Sequence, residues 1–303
     1  MAKDLQKPNY DSAEARRQGV IYGLSAYLFW GFFPVYFKAV KLVAPLEMVS
    51  HRIVWSLAFL LILITWKGAW RSMLSLLAKP KFLAALLGST LLIATNWLVF
   101  IYAVGVGEVL QSSLGYFINP LVSVLLGFVF LRERLERAQW LSLLLAAGGV
   151  VYLAIQYGAM PWIALILAAS FGLYGLIRKS LHVEPLLGLT VETLLLAPFA
   201  LLYIVQQHVS GTGIFLASST KLDLLIPMSG IITAIPLLLF AAAAKRLRLA
   251  TVGFLQYITP TMHFLLAVLI YGESFTHTHL ISFLLIWSGL ALYSLHAYRT
   301  VKA

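Results

Sequence analysis

The stretch SLGYFINPLVSVLLGFVFLRER, Ser113 to Arg134, is apolar almost throughout yet carries Pro120 near its middle. A second stretch, GFLQYITPTMHFLLAVLIYGES, Gly253 to Ser274, carries Pro260 in the corresponding place, 140 residues further on. A proline inside a helix removes a backbone hydrogen bond and costs about 3 kcal/mol. Two apolar helices interrupted at one depth need partners for the freed carbonyls.

The composition points to a bilayer, where such partners can come only from the protein itself or from a water-filled cavity. The chain has 303 residues, 61% hydrophobic and 11% charged, and its mean hydropathy is +0.91. Soluble domains carry about 25% charged residues. Apolar runs long enough to cross a ~30 Å hydrocarbon core recur along the whole length. We read ten spans: 19–39, 48–66, 82–104, 110–131 and 138–156, then 160–178, 187–206, 223–243, 251–271 and 278–298. Residues 1–18 read as a cytoplasmic tail without a signal-peptide cleavage site. The fold class is therefore an all-α polytopic membrane protein with the lipid bilayer as its surroundings.

Charge sets the orientation. The net charge is +11, but the basic residues lie in short connections rather than on one soluble face, which excludes a nucleic-acid partner. Eighteen of the 22 Lys and Arg fall in the two termini and the connections after spans 2, 4, 6 and 8. Lys38, Lys41 and Lys221 fall on the other side, and Arg52 lies inside span 2. Cytoplasmic connections retain Lys and Arg, so both termini are expected in the cytoplasm.

The offset of 140 recurs: Pro45 with Pro185, Phe100 with Phe240, Glu133 with Glu273, Gly149 with Gly289, and Lys38 with Arg178. RERLER after span 4 corresponds to GESFTH after span 9, so basic residues are missing from the copy that faces outward. Each half has five spans, an odd number, and the halves must then run in opposite orientations. This predicts two inverted-topology five-helix repeats, 19–156 and 160–298. Such repeats bind solute near the midplane, often at interrupted helices, so Pro120 and Pro260 are expected to be helix breaks beside a cavity. A plain kink that shapes packing is the other reading.

Few polar groups lie within the spans. Arg52 in span 2 and Glu192 in span 7 stand out, and they too are 140 apart. Buried charge is costly and normally faces a cavity or a partner. Arg52 reads either as the site of an anionic solute group or as a side chain snorkelling to headgroups. Glu192 reads as a cation or proton site, the candidate for coupling to protons, or as a structural carboxylate. His51, beside Arg52, is a second coupling candidate or an interfacial histidine. Trp30, Asn96, Tyr116, Asn119, Gln256 and Tyr257 complete the expected solute site, with Trp97 and His263 nearby. Packing roles compete for each of them.

Other classes are poorly supported. The spans contain no Asp inside their edges, Asp223 lying at the very start of span 8, and no H-x-x-x-H pair, and the chain has no Cys, so intramembrane catalysis, a metal site and a cofactor are not expected. No G-x-x-x-x-G-K-[ST] loop is present to take ATP. A membrane sensor or assembly protein remains the alternative to a transporter.

The segments RQGVIYGLSAYLFWGFFPVYFK, SHRIVWS, NWLVFIYAV, SLGYFINPLVSVLLGFVFLRER and RLRLATVGFLQYITP resemble the EamA branch of the drug/metabolite transporter superfamily, from about Arg17 to Tyr298. The resemblance implies ten helices in two EamA repeats with both ends cytoplasmic. It implies an inner-membrane permease, generally an exporter of small metabolites or drugs. The expected solute is amino acid-like or aromatic, with chloramphenicol a candidate because a member of the branch is labelled chloramphenicol-sensitive. No family motif names a ligand residue.

Overall fold

The computed structural model describes residues 12–106, 108–158, 160–270 and 276–302. Its elements are α1 (Ala13–Gly31), α2 (Phe33–Ala39), α3 (Pro45–Trp66), α4 (Trp70–Leu77), α5 (Pro80–Gly105), α6 (Val109–Phe130) and α7 (Arg137–Tyr157). The second half follows with α8 (Trp162–Ser180), α9 (Pro185–Val209), α10 (Thr220–Arg246), α11 (Leu249–Gln256), α12 (Ile258–Leu265), a π-turn (Leu266–Ile270) and α13 (His277–Lys302). Among the described residues there is no strand, and nine segments are long and apolar enough to cross a membrane. A tenth, Leu114–Phe130 within α6, is shorter. Span 1 is α1 with α2, and span 9 is α11, α12 and the π-turn.

The expected tail 1–18 is too long at its inner edge. α1 begins at Ala13 because Ser12 caps it, its hydroxyl accepting from the Ala15 N–H at 3.1 Å, with Glu14 in the first turn. Residues 1–11 of that tail and Glu273 lie outside the described residues. α4 is an addition to the sequence reading: a two-turn helix in a connection that has no apolar run long enough to attract attention, with Met73 and Leu76 buried against the bundle.

The prolines behave unequally. Pro260 lies in an interrupted span: α11 stops at Gln256, α12 restarts at Ile258, and a π-turn follows. Pro120 does not break α6, which runs on through it, contrary to expectation. A proline deletes one ladder bond, and the bonds on either side hold the helix together. Gly253 lets α11 lie close against this point; a Cβ there would come 2.7 Å from the Pro120 carbonyl oxygen. A second interruption, just before Pro34, splits span 1 between α1 and α2.

Helix pairing follows an exchange of halves. α3 packs on α9, α6 on α11 and α7 on α13, each a pair of equivalent spans. The remaining large contacts come in matched pairs: α6 with α8 mirrors α11 and α12 with α1, α1 with α10 mirrors α8 with α5, and α3 with α10 mirrors α9 with α5. The α7–α13 contact shows the exchange at atomic scale. A Cβ on Gly149 would lie 2.7 Å from the Ser282 carbonyl oxygen, and one on Gly289 would lie 2.6 Å from the Ser142 carbonyl oxygen. Both members of each pair are 140 apart, so one small-residue contact is made twice.

Candidate functional site

A cavity of about 130 Å³ lies between the two halves. At roughly 10–15 Å³ per water-sized site, that holds about ten waters or one small organic solute. α1, α2, α3, α5, α6, α8, α10, α11 and α12 all contribute to its wall. The lining residues sit from mid-helix toward the ends remote from the basic connections. Tyr27, fully buried, marks the deep part, and Tyr116, 38% exposed, marks the shallow part.

The prolines explain the polar backbone of this wall. Pro34, Pro120 and Pro260 each lack the N–H that would bond the carbonyl four residues earlier. Those carbonyls belong to Trp30, Tyr116 and Gln256, and all three residues line the cavity. At Trp30 the replacement partner is visible: His263 Nε2 lies 3.1 Å from the Trp30 carbonyl oxygen, a contact that requires the proton on Nε2. Thr259, just before Pro260, donates to the Tyr27 carbonyl at 2.9 Å and ties the broken span 9 to α1.

Arg52 supplies the charge. Its Nε donates to Thr233 Oγ1 at 2.8 Å, and its guanidinium carbon lies 5.3 Å from the Trp97 ring centre, 5.5 Å from Phe37 and 6.0 Å from Phe33. Aromatic faces attract a cation without neutralising it. Among the described residues no carboxylate forms an ion pair with Arg52. The snorkelling alternative does not describe this side chain, which lines the cavity and is held by Thr233 of the opposite half.

Three residues of the wall carry unpaired polar atoms. Asn119 Oδ1, Gln256 Oε1 and the Tyr27 hydroxyl are buried and have no hydrogen-bond partner. Buried polar atoms are nearly always paired, which sets these three apart from the committed groups of the wall. Asn96 is partly committed: its amide donates to the Leu167 carbonyl at 2.9 Å and to Ser170 Oγ at 3.0 Å, fixing α5 to α8. Between the polar ends the walls are aromatic, with Trp30 5.8 Å from Phe171 and 5.9 Å from Phe240.

The structure brings Trp30, Arg52, Asn96, Tyr116, Asn119 and Gln256 together here, with Pro260, Trp97 and His263. Three expected members lie elsewhere. Tyr257 packs in a separate apolar cluster with Leu114, Phe117 and Ile286, because the turn after α11 rotates it away from Gln256. His51 points off the cavity face of α3 and packs on Phe215, 4.9 Å between ring centres, with Glu47 4.0 Å away. Glu192 is buried near the basic end, where Arg178 Nη1 lies 3.5 Å from Oε1, Ser89 Oγ donates to Oε1 at 2.5 Å and the Tyr174 hydroxyl donates to Oε2 at 3.2 Å. Arg178 belongs to a segment assigned to the loop edge; helix α8 runs past it to Ser180. Phe33, Phe37, Tyr27 and Thr233 were not anticipated. Pro34, in an apolar run, was the sequence signal for the first two.

The basic end is closed around Glu192. Arg178 Nη2 also donates to the Pro185 carbonyl at 3.1 Å. Glu133 accepts from the N–H groups of Leu249 at 2.6 Å and Ala250 at 3.0 Å, so it caps α11 from the other half of the chain. Lys179 reaches the Ala244 and Leu247 carbonyls and lies 4.0 Å from Glu133, and Lys245 donates to the Val183 carbonyl.

Known proteins agree with this architecture. The pattern of the EamA-like transporter family matches residues 17–155. An uncharacterized transporter of Vibrio cholerae is 44% identical over 293 residues, covering 97% of each chain. Protein RarD of Escherichia coli is 44% identical over 290 residues, covering 96% of this chain and 98% of its own. A Pseudomonas aeruginosa relative named chloramphenicol-sensitive protein RarD is 31% identical over 281 residues, 91% of this chain and 93% of its own. One crystal structure superposes with a TM-score of 0.71 at 19% identity, covering 94% of this chain and 99% of that one, which supports the fold. With full-length relatives at this identity, the chain belongs to the EamA-like transporter family, as a multi-pass membrane protein.

Proposed function

We propose that the chain is a secondary transporter for a small organic solute that carries an anionic group on an aromatic or aliphatic body. The observation that carries this reading is Arg52, held in the cavity wall with no carboxylate partner among the described residues, in a wall that also holds the unpaired Asn119, Gln256 and Tyr27. A carboxylate on Arg52 with an amine or hydroxyl donor toward Asn119 and Gln256 satisfies both ends. Amino acid-like and aromatic acids fit this description. Chloramphenicol, suggested by the name of one relative, has the polar and aromatic parts but no carboxylate.

The excess of Lys and Arg in one set of connections supports a basic end on the cytoplasmic side of the inner membrane. The cavity then faces outward, and the Glu133, Arg178 and Glu192 contacts close the cytoplasmic side. Rocking one half against the other exposes the same site to the other side. The direction that the resemblance to the superfamily implies supports export. Glu192 is read here as part of the cytoplasmic closure rather than as a solute ligand, and coupling to protons through it would act by loosening that closure.

Counterflow in proteoliposomes tests this. Vesicles preloaded separately with pooled amino acids, aromatic acids or chloramphenicol are expected to take up the labelled solute only from the matching class. Arg52→Ala is expected to lower exchange by at least tenfold, and Gln256→Leu less. Exchange unaffected by Arg52→Ala in folded protein would remove the anion site from the reading.

A further inference from the structure

The closed and open ends are built from equivalent residues of opposite chemistry. At the closed end, α8 brings Arg178 to Glu192 of α9, and the two are 1% and 2% exposed. The equivalents at the open end, 140 residues earlier, are Lys38 on α2 and Arg52 on α3. An exchange of halves that closes the open end puts Lys38 and Arg52 in the relation now held by Arg178 and Glu192. The cation–anion contact becomes a cation–cation contact. Burying two like charges together is strongly unfavourable in a low dielectric.

Local packing agrees. At the closed end, Gly188 leaves the space that Arg178 fills; a Cβ there would overlap Nη1 and Nη2 of the guanidinium. The equivalent of Gly188 is Met48, a full side chain, already buried among Val40, Val43 and Ile226. At the positions equivalent to Glu192 and Gly188 the open end thus has neither a carboxylate nor a recess. Each charged residue on the equivalent helices reaches a hydroxyl on the third span of the opposite half, Arg52 to Thr233 and Glu192 to Ser89, one helical turn apart in the common frame.

We infer that the empty carrier does not close over Arg52, and that an anion must occupy the cavity for the outer end to shut. The chain then works as an anion exchanger: loaded carrier crosses in either direction, and the empty carrier is held open outward. This rests on the proposal that the cavity carries an anionic solute between alternating states, and it adds the transport mode. Such a carrier shows fast exchange between loaded compartments and slow net efflux into solute-free buffer.

The chain contains no cysteine, so a single Phe100→Cys substitution, in the cavity wall, is a unique reporter of the open outer end. In proteoliposomes without solute, a membrane-impermeant maleimide is expected to label it fully. 3-Phenylpropanoate is expected to protect it at least fivefold, and the isosteric amide 3-phenylpropanamide is expected not to. Arg52→Gln removes one of the two cations, and Lys38→Glu supplies a built-in anion that pairs with Arg52. Both are expected to protect the reporter with no solute present, Lys38→Glu the more strongly. Protection in these variants supports the charge gate whichever solute the carrier takes, even if the phenylpropanoate arm fails and the proposed solute class falls with it. Full labelling of both variants, each shown folded by size-exclusion chromatography, overturns the inference even if the carboxylate protects the native reporter. Chloride at matched concentration separates an inorganic anion from an organic one; protection by both supports the gate and places the size selection elsewhere.

Discussion

Arg52 and Glu192 occupy one position in two copies of a five-helix unit, yet their surroundings share only a hydroxyl of the opposite half. Glu192 is enclosed by Arg178, Ser89 and Tyr174 and is 2% exposed. Arg52 faces a cavity, aromatic rings and one hydroxyl. Equivalent positions therefore do not make equivalent surroundings; the partner residue decides. A carboxylate beside a guanidinium is closed in with it, and a guanidinium beside ring faces and a hydroxyl lines a cavity.

The sharpest way to break this comparison is to remove one charge from each copy. Glu192→Ala leaves Arg178 buried without its counter-charge, a situation that costs about 3–5 kcal/mol. Thermal unfolding of the detergent-solubilised protein should show a large drop, on the scale of a badly destabilised variant. Arg52→Ala leaves no buried carboxylate behind, so its unfolding temperature should stay near the native value while transport falls. Equal losses of stability for both would mean that Arg52 is as much a packing element as Glu192. Next in size is Gly188→Ala, which leaves both charges and removes only the space for Arg178. Overpacking of this kind costs about 1–3 kcal/mol. The same unfolding assay should place it between the native protein and Glu192→Ala.

How much of this was legible beforehand follows from what each feature depends on. The crossings and their number depend on apolar run length, a local property, and the sequence showed them. The 140-residue frame was visible because it left identities and stripped charges behind. Arg52 was legible as a site because a lone cation in an apolar span has few explanations. For Glu192 the sequence left a proton site and a structural carboxylate open, because its partner Arg178 reads as a helix-edge residue among the basic connections; only the fold brings Arg178 Nη1 to 3.5 Å from it. Tyr257 next to Gln256 shows the same limit at finer scale. A turn between α11 and α12 sets which neighbour faces the cavity, and no pattern in QYITP fixes that turn. Pro120 and Pro260 look alike in sequence and differ in structure because the helix ladder around Pro120 survives and that around Pro260 does not.

The smallest expected effects sharpen the same comparison in a place where the two copies do agree. Gly149 and Gly289 meet the Ser282 and Ser142 carbonyl oxygens in mirrored contacts, so Gly149→Ala and Gly289→Ala should each lower stability by about 1–3 kcal/mol and by nearly equal amounts. The equality is the test, because it follows only if the halves share one geometry at α7 and α13. Gly148 is the internal control: a Cβ there meets nothing within 4 Å, so Gly148→Ala adds helix propensity without a clash. Its expected change is a gain of about 0.5–1 kcal/mol at most. A loss at Gly148 comparable to that at Gly149 would mean that this face of α7 is covered by another molecule. Unequal losses at Gly149 and Gly289 would mean that the two-fold relation has drifted even where backbone touches backbone. The difference between Arg52 and Glu192 would then be one case of a general divergence rather than a change confined to the charged pair.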